Sequence, residues 1–248
     1  MSDFRHIPVS VTATRSLTSG SGNEAHRHDD HQILYASRGV LSVTTEAGVW
    51  ITPANRAIWV PAGTWHYHRA YGPTALHLVG LPASVNPLHT SHPTVIAVGP
   101  LLRELVIAYT AEDTVPAGPA RDRLRAVLLD QLRASAQQPL HVPAPHDARL
   151  ADVARLLDAE PANNDNLERL ATRVGSSART LSRLCREELG MSFPQWRTQV
   201  RLHRALILLA EEAPVTEVAY QCGWSSPSAF IDTFSRALGY TPGRGKTA

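Results

Sequence analysis

Two stretches near the C-terminus of this chain follow a single pattern, and few folds accommodate a pattern of that kind. The first runs from Leu167 to Gly190 and the second from Val215 to Gly239. Leu170-Ala171-x3-Gly175 superposes on Val218-Ala219-x3-Gly223, about 48 residues later. Past the turn the offset grows by one residue, so Leu181, Cys185 and Leu189-Gly190 match Phe230, Phe234 and Leu238-Gly239. Each copy reads as helix, glycine turn, polar cap, second helix and terminal glycine. A tight turn between crossed helices needs a residue that takes positive φ, as Gly175 and Gly223 do. Ser176-Ser177 and Ser225-Ser226 suit the capping of free amides, Pro227 suits a first helical turn, and Gly190 and Gly239 suit helix ends. The spacing predicts helix-turn-helix units over about 167–188 and 215–238.

Between the copies, roughly Ser192 to Glu212, lies a helical pattern made apolar on one side by Phe193, Trp196, Val200 and Leu208, with Pro214 closing it. Such a rod is about 30 Å long. That is close to one turn of B-DNA, so the second helices of both units can enter successive major grooves on one face of a duplex. In the first reader Leu181, Leu184 and Cys185 turn inward. Arg179, Ser182, Arg183 and Arg186 fall at i, i+3, i+4 and i+7 on the opposite side, where guanidinium groups match guanine O6/N7 or phosphate. In the second reader Phe230, Phe234 and Leu238 turn inward, leaving Ser226, Ser228, Asp232 and Arg236 as candidate DNA contacts. Asp232 is unfavourable beside phosphate but accepts from a cytosine amine. This helix is expected to weigh more on phosphate positioning than on base choice.

Residues from about 147 to 245 resemble the DNA-binding domain of the AraC-type regulators. The resemblance lies in Val218-Ala-x3-Gly223-Trp-x-Ser-x-Ser-x-Phe230 and in the tail Phe234-Ser-Arg-Ala-Leu-Gly-Tyr-Thr-Pro-Gly-Arg244. It implies seven helices, with the second helix of each unit in the major groove and base contacts at Arg179, Ser182 and Arg183. Asp232 stands where some members carry a basic residue.

The N-terminal half has a different period. From about residue 8 to 82 apolar residues alternate with period two in short runs: Ile33–Ala36, Val40–Thr45, Val49–Ile51, Ala57–Val60 and Leu76–Val79. Gly39, Glu46–Gly48, Pro53–Asn55 and Pro61–Gly63 punctuate them, and Thr94–Val98 continues the series. Short strands at close spacing predict a small barrel or sandwich. Helical periodicity follows from Pro100 and from Pro119 to Ala136. The second of these carries a stripe of Leu124, Leu128 and Leu132, a candidate dimer seam or a face packed on its own barrel. Residues 137–146, with Pro139, Pro143 and Pro145, cannot continue a helix and read as a linker. The expected architecture is α+β in two domains: a barrel over 1–98, linker and dimerisation helices over 99–146, and an all-α DNA-binding domain over 147–248.

His26-x-His28-x3-Gln32-x6-Gly39 and Pro61-x-Gly63-x2-His66 resemble the two motifs of the cupins, small barrels in which histidines and an acid bind metal. Gln32 occupies the acidic position, and Asn55 the usual glycine at the start of the second motif. Alternation places His26, His28 and Gln32 on one strand face and His66 with His68 on another. These five residues are the candidate effector pocket, and His26, His28 and His66 the candidate ligands should a divalent metal occupy it. Trp50, Trp59 and Trp65 either line that pocket or fill the core.

Charge and cysteine content narrow the partners. The formal charge is +2, and the only lysine is Lys246, so cationic roles fall to arginine. Residues 161–248 hold 11 Lys+Arg against 8 Asp+Glu, which tolerates DNA without demanding it. Cys185 and Cys222 suit a reducing compartment. No apolar run reaches the length of a membrane span, and Met1–His6 lacks a signal-peptide core, so a cytoplasmic protein is expected. The duplicated helix-turn-helix pattern and the two resemblances predict a sequence-specific regulator of transcription that binds double-stranded DNA as a homodimer and responds to a small molecule or metal. RNA polymerase is a further expected partner. No catalytic residue and no obligatory cofactor is assigned. Two alternatives remain: a cupin-type metal-dependent enzyme fused to a helical domain, and a DNA-binding protein whose barrel only dimerises.

Overall fold

The computed structural model describes residues 5–111, 117–138 and 141–243; Pro139, Arg244 and Lys246, named above, lie outside the described residues, as do Met1–Phe4. The strands are β1 (Arg5–Ile7), β2 (Ala13–Leu17), β3 (His26–His28), β4 (His31–Thr45), β5 (Gly48–Thr52), β6 (Arg56–Val60), β7 (His66–Leu81) and β8 (Thr94–Ala97). Then come α1 (Pro100–Thr110), α2 (Pro119–Ala134), β9 (Gln137–Gln138) and β10 (His141–Pro143). Helices α3 (Ala148–Ala159), α4 (Leu167–Arg173), α5 (Ala178–Leu189), α6 (Phe193–Ala210), α7 (Val215–Gln221) and α8 (Pro227–Leu238) complete the chain. A β-rich unit thus precedes a helical one. The second compact unit begins at His141 and includes Ala47–Val49.

In the first unit the sheet order is β1-β3-β7-β4-β6-β8-β9, with β2 also on β7. Its backbone is the long antiparallel pair β4 and β7, in register from His31↔Leu81 to Thr45↔His66. Glycine 39, expected to end a strand, instead lies inside β4. Its φ of +79° sits where the register slips between Ala36 and Val40, and a Cβ there would fall 2.3 Å from Thr74 Oγ1. The bulge reverses the alternation of the strand. Leu34 and Ala36 before it share one core with Leu41 and Val43 after it, together with Trp50, Ile58, Ala70, Leu76 and Leu78.

The opposite face of the sheet is covered by α1 and α2. Ile33, Tyr35, Trp59, Val79 and Leu81 pack there against Leu102, Val106, Leu128 and Leu132, with Leu124 alongside. This corrects the dimer-seam reading of α2. Leu128 and Leu132 are fully buried within their own chain, because an uncovered apolar sheet face offers a larger buried area than a three-leucine stripe. His77, which sequence reasoning did not single out, ties α1 to the sheet. Thr110 Oγ1 gives its proton to Val106 O at 2.9 Å, so His77 Nδ1 donates to Thr110 Oγ1 at 2.8 Å and Ser37 Oγ donates to His77 Nε2 at 2.8 Å. The expected linker also differs. Gln137 and Gln138 pair with Ile96 and Val95 as a further strand, since residues that cannot continue a helix still accept extended backbone.

In the helical unit Ser177 and Ser226 accept from the amides of Thr180 (3.1 Å) and Ala229 (3.2 Å), and Gly190 and Gly239 end their helices with φ of 68° and 79°. Leu150, Val153, Leu170, Leu181, Cys185 and Trp196 form one core, and in the second half Phe230 contacts both Trp224 and Phe234. Six helices, α3 to α8, occur among the described residues of this unit, against the seven implied by resemblance. Residues 242–243 form a turn and the remaining tail is outside the described residues.

Leu128→Ala is expected to lower unfolding stability by about 2–5 kcal/mol without changing the association state. Parallel chemical denaturation and sedimentation measurements check both parts. A second expectation concerns acid. Burial pushes the His203 imidazole down to about 4, and its Nε2 has no hydrogen-bond partner among the described residues. The unfolded chain, with an ordinary imidazole near 6.5, then binds the extra proton, so stability drains away as pH falls from about 6.5 toward 4. His203→Leu should make that acid limb shallower in melts recorded between pH 7 and pH 4.5.

Candidate functional site

Two sets of residues carry chemistry, one in each unit. In the helical unit the pattern of burial divides α5 cleanly. Leu181, Leu184, Cys185 and Leu189 are buried, whereas Arg179, Arg183 and Arg186 are exposed and Ser182 is half-buried. The structure therefore leaves all four candidate contacts of the first reader on one outward side. In α8, Ser228, Asp232 and Arg236 are exposed opposite Phe230, Phe234 and Leu238, while Ser226 is engaged as the cap of the helix. Each helix also holds an internal ion pair, Arg183 with Glu187 and Arg236 with Asp232, both at i,i+4. Glu187 was overlooked, although an acid four residues from an arginine is legible in sequence. Asp232 gains a reason from this pairing: it holds the guanidinium of Arg236.

In the β unit the five candidate pocket residues are all buried: His26, His28, Gln32, His66 and His68. Strand β3 lies antiparallel to β7 with His26 directly opposite His66. Their rings are 4.4 Å apart by centroid, and His28 lies 5.8 Å from His26 and 5.0 Å from His66. One nitrogen from each of the three falls within 4.8 Å of the others. His66 therefore joins the first motif's pair instead of standing apart with His68.

The ring nitrogens are not equivalent. His28 Nδ1 donates to Asp30 O at 2.7 Å and His66 Nδ1 to Thr64 O at 3.0 Å. In His66 that bond puts the proton on Nδ1 and leaves a lone pair on Nε2. His66 Nε2 is buried without a partner among the described residues. His28 Nε2 instead faces the carboxamide oxygen of Gln32 at 3.3 Å, so both nitrogens of His28 meet an oxygen. His26 Nδ1 lies 3.0 Å from Glu24 O and 3.1 Å from Asn23 Nδ2, and Asn23 Oδ1 accepts from His68 N at 2.8 Å. Asn23 thus spans two of the histidines, a role that no spacing rule would have marked. Burial holds His66 down to about 3 and His68 to about 4, with neighbouring imidazoles adding to the effect; His26 is lowered mainly by burial as well. Burial therefore favours the neutral form of His26, His66 and His68.

The tryptophans separate. Trp50 packs on the face that carries Leu34 and Ala70, Trp59 lies on the helix-covered face, and the half-buried Trp65 lies under the guanidinium of Arg27.

Comparison with known proteins now bears on these sets. Residues 170–247 match the helix-turn-helix domain family, and residues 15–81 match the cupin domain family. The chain is 33% identical over 243 residues to the HTH-type transcriptional regulator NimR of Escherichia coli (strain K12), covering 98% of this chain and 89% of that protein. The chain belongs to the AraC-type transcriptional regulators. The HTH-type transcriptional regulator RipA of Corynebacterium glutamicum is 39% identical over 101 residues, 41% of this chain and 30% of its own length. The HTH-type transcriptional activator RhaS of Escherichia coli O9:H4 (strain HS) is 32% identical over 133 residues, 53% and 47% of the two chains. An AraC-type regulator with an N-terminal cupin domain is therefore built of the two units described, and no helix among its described residues is long and apolar enough to cross a membrane.

For this regulator, Arg179→Ala and Arg183→Ala are each expected to weaken binding to a preferred duplex by about 1–3 kcal/mol and to relax preference at the base pair concerned. Gel-shift titration against single-base variants of a selected duplex, at one fixed salt concentration, measures both effects.

Proposed function

We propose that this chain is a sequence-specific DNA-binding regulator of transcription switched by an effector at the histidine centre of its β unit. Arg179, Ser182, Arg183 and Arg186 on α5 read bases and phosphates. Ser228, Asp232 and Arg236 on α8, with Ser226 at its cap, position the second helix. The observation that carries the sensor half is the gathering of one nitrogen from each of His26, His28 and His66 within 4.8 Å of the others, with His28 and His66 held by main-chain carbonyls behind them. That arrangement of backing hydrogen bonds orients imidazole ligands toward a cation, and three imidazole nitrogens suit zinc, nickel or ferrous iron. His26, His28 and His66 would hold the ion and His68 would flank it. Gln32 contributes a neutral carboxamide where an acid would add charge, which favours a weaker, exchangeable ion over a permanently held one. A bound ion supplies a fixed positive charge that draws β3 and β7 together, and any difference in affinity between two arrangements of the chain shifts their populations.

Homodimerisation, contact with RNA polymerase and a cytoplasmic location belong to the same proposal and rest on family membership. The second reading, a metal-dependent enzyme with a helical appendage, draws on the same three imidazoles; turnover of a substrate by the metal-loaded protein would select it.

Titrating metal-free full-length protein with Co2+ and Zn2+ tests the sensor. The expected result is one equivalent bound with a visible cobalt spectrum, weakened at least tenfold in His28→Ala, together with a change in duplex affinity on loading. Absence of metal binding alongside a thermal shift from an organic metabolite would replace the ion by an organic effector. Absence of both would leave the β unit without a sensing role.

A further inference from the structure

Helix α6 carries two arginines one turn apart whose guanidinium groups turn to the backbone of the loop leading into α4. Arg197 Nη2 donates to Asp165 O at 2.6 Å. Arg201 Nη2 donates to Asn163 O and to Asn164 Oδ1, both at 2.9 Å. The next residue, Asn166, caps α4 through the amide of Arg169 at 3.0 Å. The two arginines therefore grip the entrance of the first helix-turn-helix unit. The same loop is braced from its other side: Arg173 pairs with Glu160 at 3.0 Å, and Asn163 Nδ2 donates to Glu160 Oε2 at 2.9 Å.

Arg201 also touches the second unit. A Cβ placed on Gly223 would fall 2.7 Å from Arg201 Nη2, 2.9 Å from its Cζ and 3.0 Å from Ala162 Cα. The equivalent turn glycine of the first unit, Gly175, has nothing within 4 Å of that position. Both glycines have positive φ, 63° and 81°, so the turn alone explains Gly175. Gly223 answers a second demand, the close approach of a guanidinium and a loop. Burial lowers the affinity of both arginines for their protons, Arg201 and Arg197 alike. A cation is desolvated in this way only at a cost, and a side chain serving solubility would lie in solvent.

The geometry points to Arg201, supported by Arg197, as the joint that sets the angle between the two readers. It is a positioning residue for two-groove recognition, and the inference rests on the reading of α5 and α8 as those readers. A stiff joint raises the effective concentration of the second reader at its groove once the first is bound, and a loose one lowers it.

The test uses full-length protein, a duplex selected from a random library, and the same duplex with the box of one reader scrambled. Arg201→Met is expected to lose about tenfold on the intact duplex and nothing on the one-box duplex, with Arg201→Lys recovering part of the loss. Equal losses on both duplexes, or none on either, would overturn the joint. Should Arg201→Met fail to fold by circular dichroism, Asn164→Ala is scored by the same intact-against-one-box ratio. A wild-type protein that gains nothing from the second box would overturn the paired-reader reading itself, a result distinct from the loss of the joint alone.

Discussion

Neither helical pair of the C-terminal unit can stand alone. Helices of seven and twelve residues are at or below the length that holds its turns in water, so each pair survives only by burying an apolar face against something longer. Helix α6 supplies that surface. Trp196 near its start lies in the core of the first pair, and Leu202, Ala205, Leu206, Ile207 and Leu208 are buried further along it. Its 18 residues amount to about 27 Å of rise. Everything proposed about DNA follows from this dependence, because elements that share one support cannot choose their positions independently.

The β unit is organised by a different necessity, that a polar atom removed from water must find a partner. His77 meets it in full, with both nitrogens bonded on the helix-covered face. The cluster on the other face meets it only in part. His28 and His66 satisfy one nitrogen each through a main-chain carbonyl two residues away, and His66 Nε2 is left facing its neighbours. Two sets of imidazoles in one sheet thus have opposite characters: one is closed and mechanical, the other open and chemical.

Much of this was legible in the sequence, and what was not has physical reasons. The duplicated units declared themselves because glycine and serine at fixed offsets have local causes that do not depend on the rest of the fold. The faces of α5 and α8 followed from periodicity. The convergence of His66 with His26 and His28 was beyond local pattern, since it needs β3 set against β7. Gly39 misled for a related reason: a glycine that ends a strand and one that bulges it look identical until the partner strand, here with Thr74, is in place. The leucines of α2 were recognisable as an apolar stripe, but a stripe does not name the surface it covers. Arg197 and Arg201 belong to a helix whose sequence advertises only its apolar side.

The internal ion pairs of α5 and α8 have a kinetic meaning. Arg183 and Arg236 already hold carboxylates, so each adds little to the field that a duplex feels beyond a Debye length, about 8 Å at physiological ionic strength, whereas Arg179 and Arg186 form no ion pair among the described residues. Non-specific residence on DNA depends on counterions displaced by unpaired cations. Pairing of this kind trims the non-specific hold that Arg183 and Arg236 would give and leaves that hold to Arg179 and Arg186.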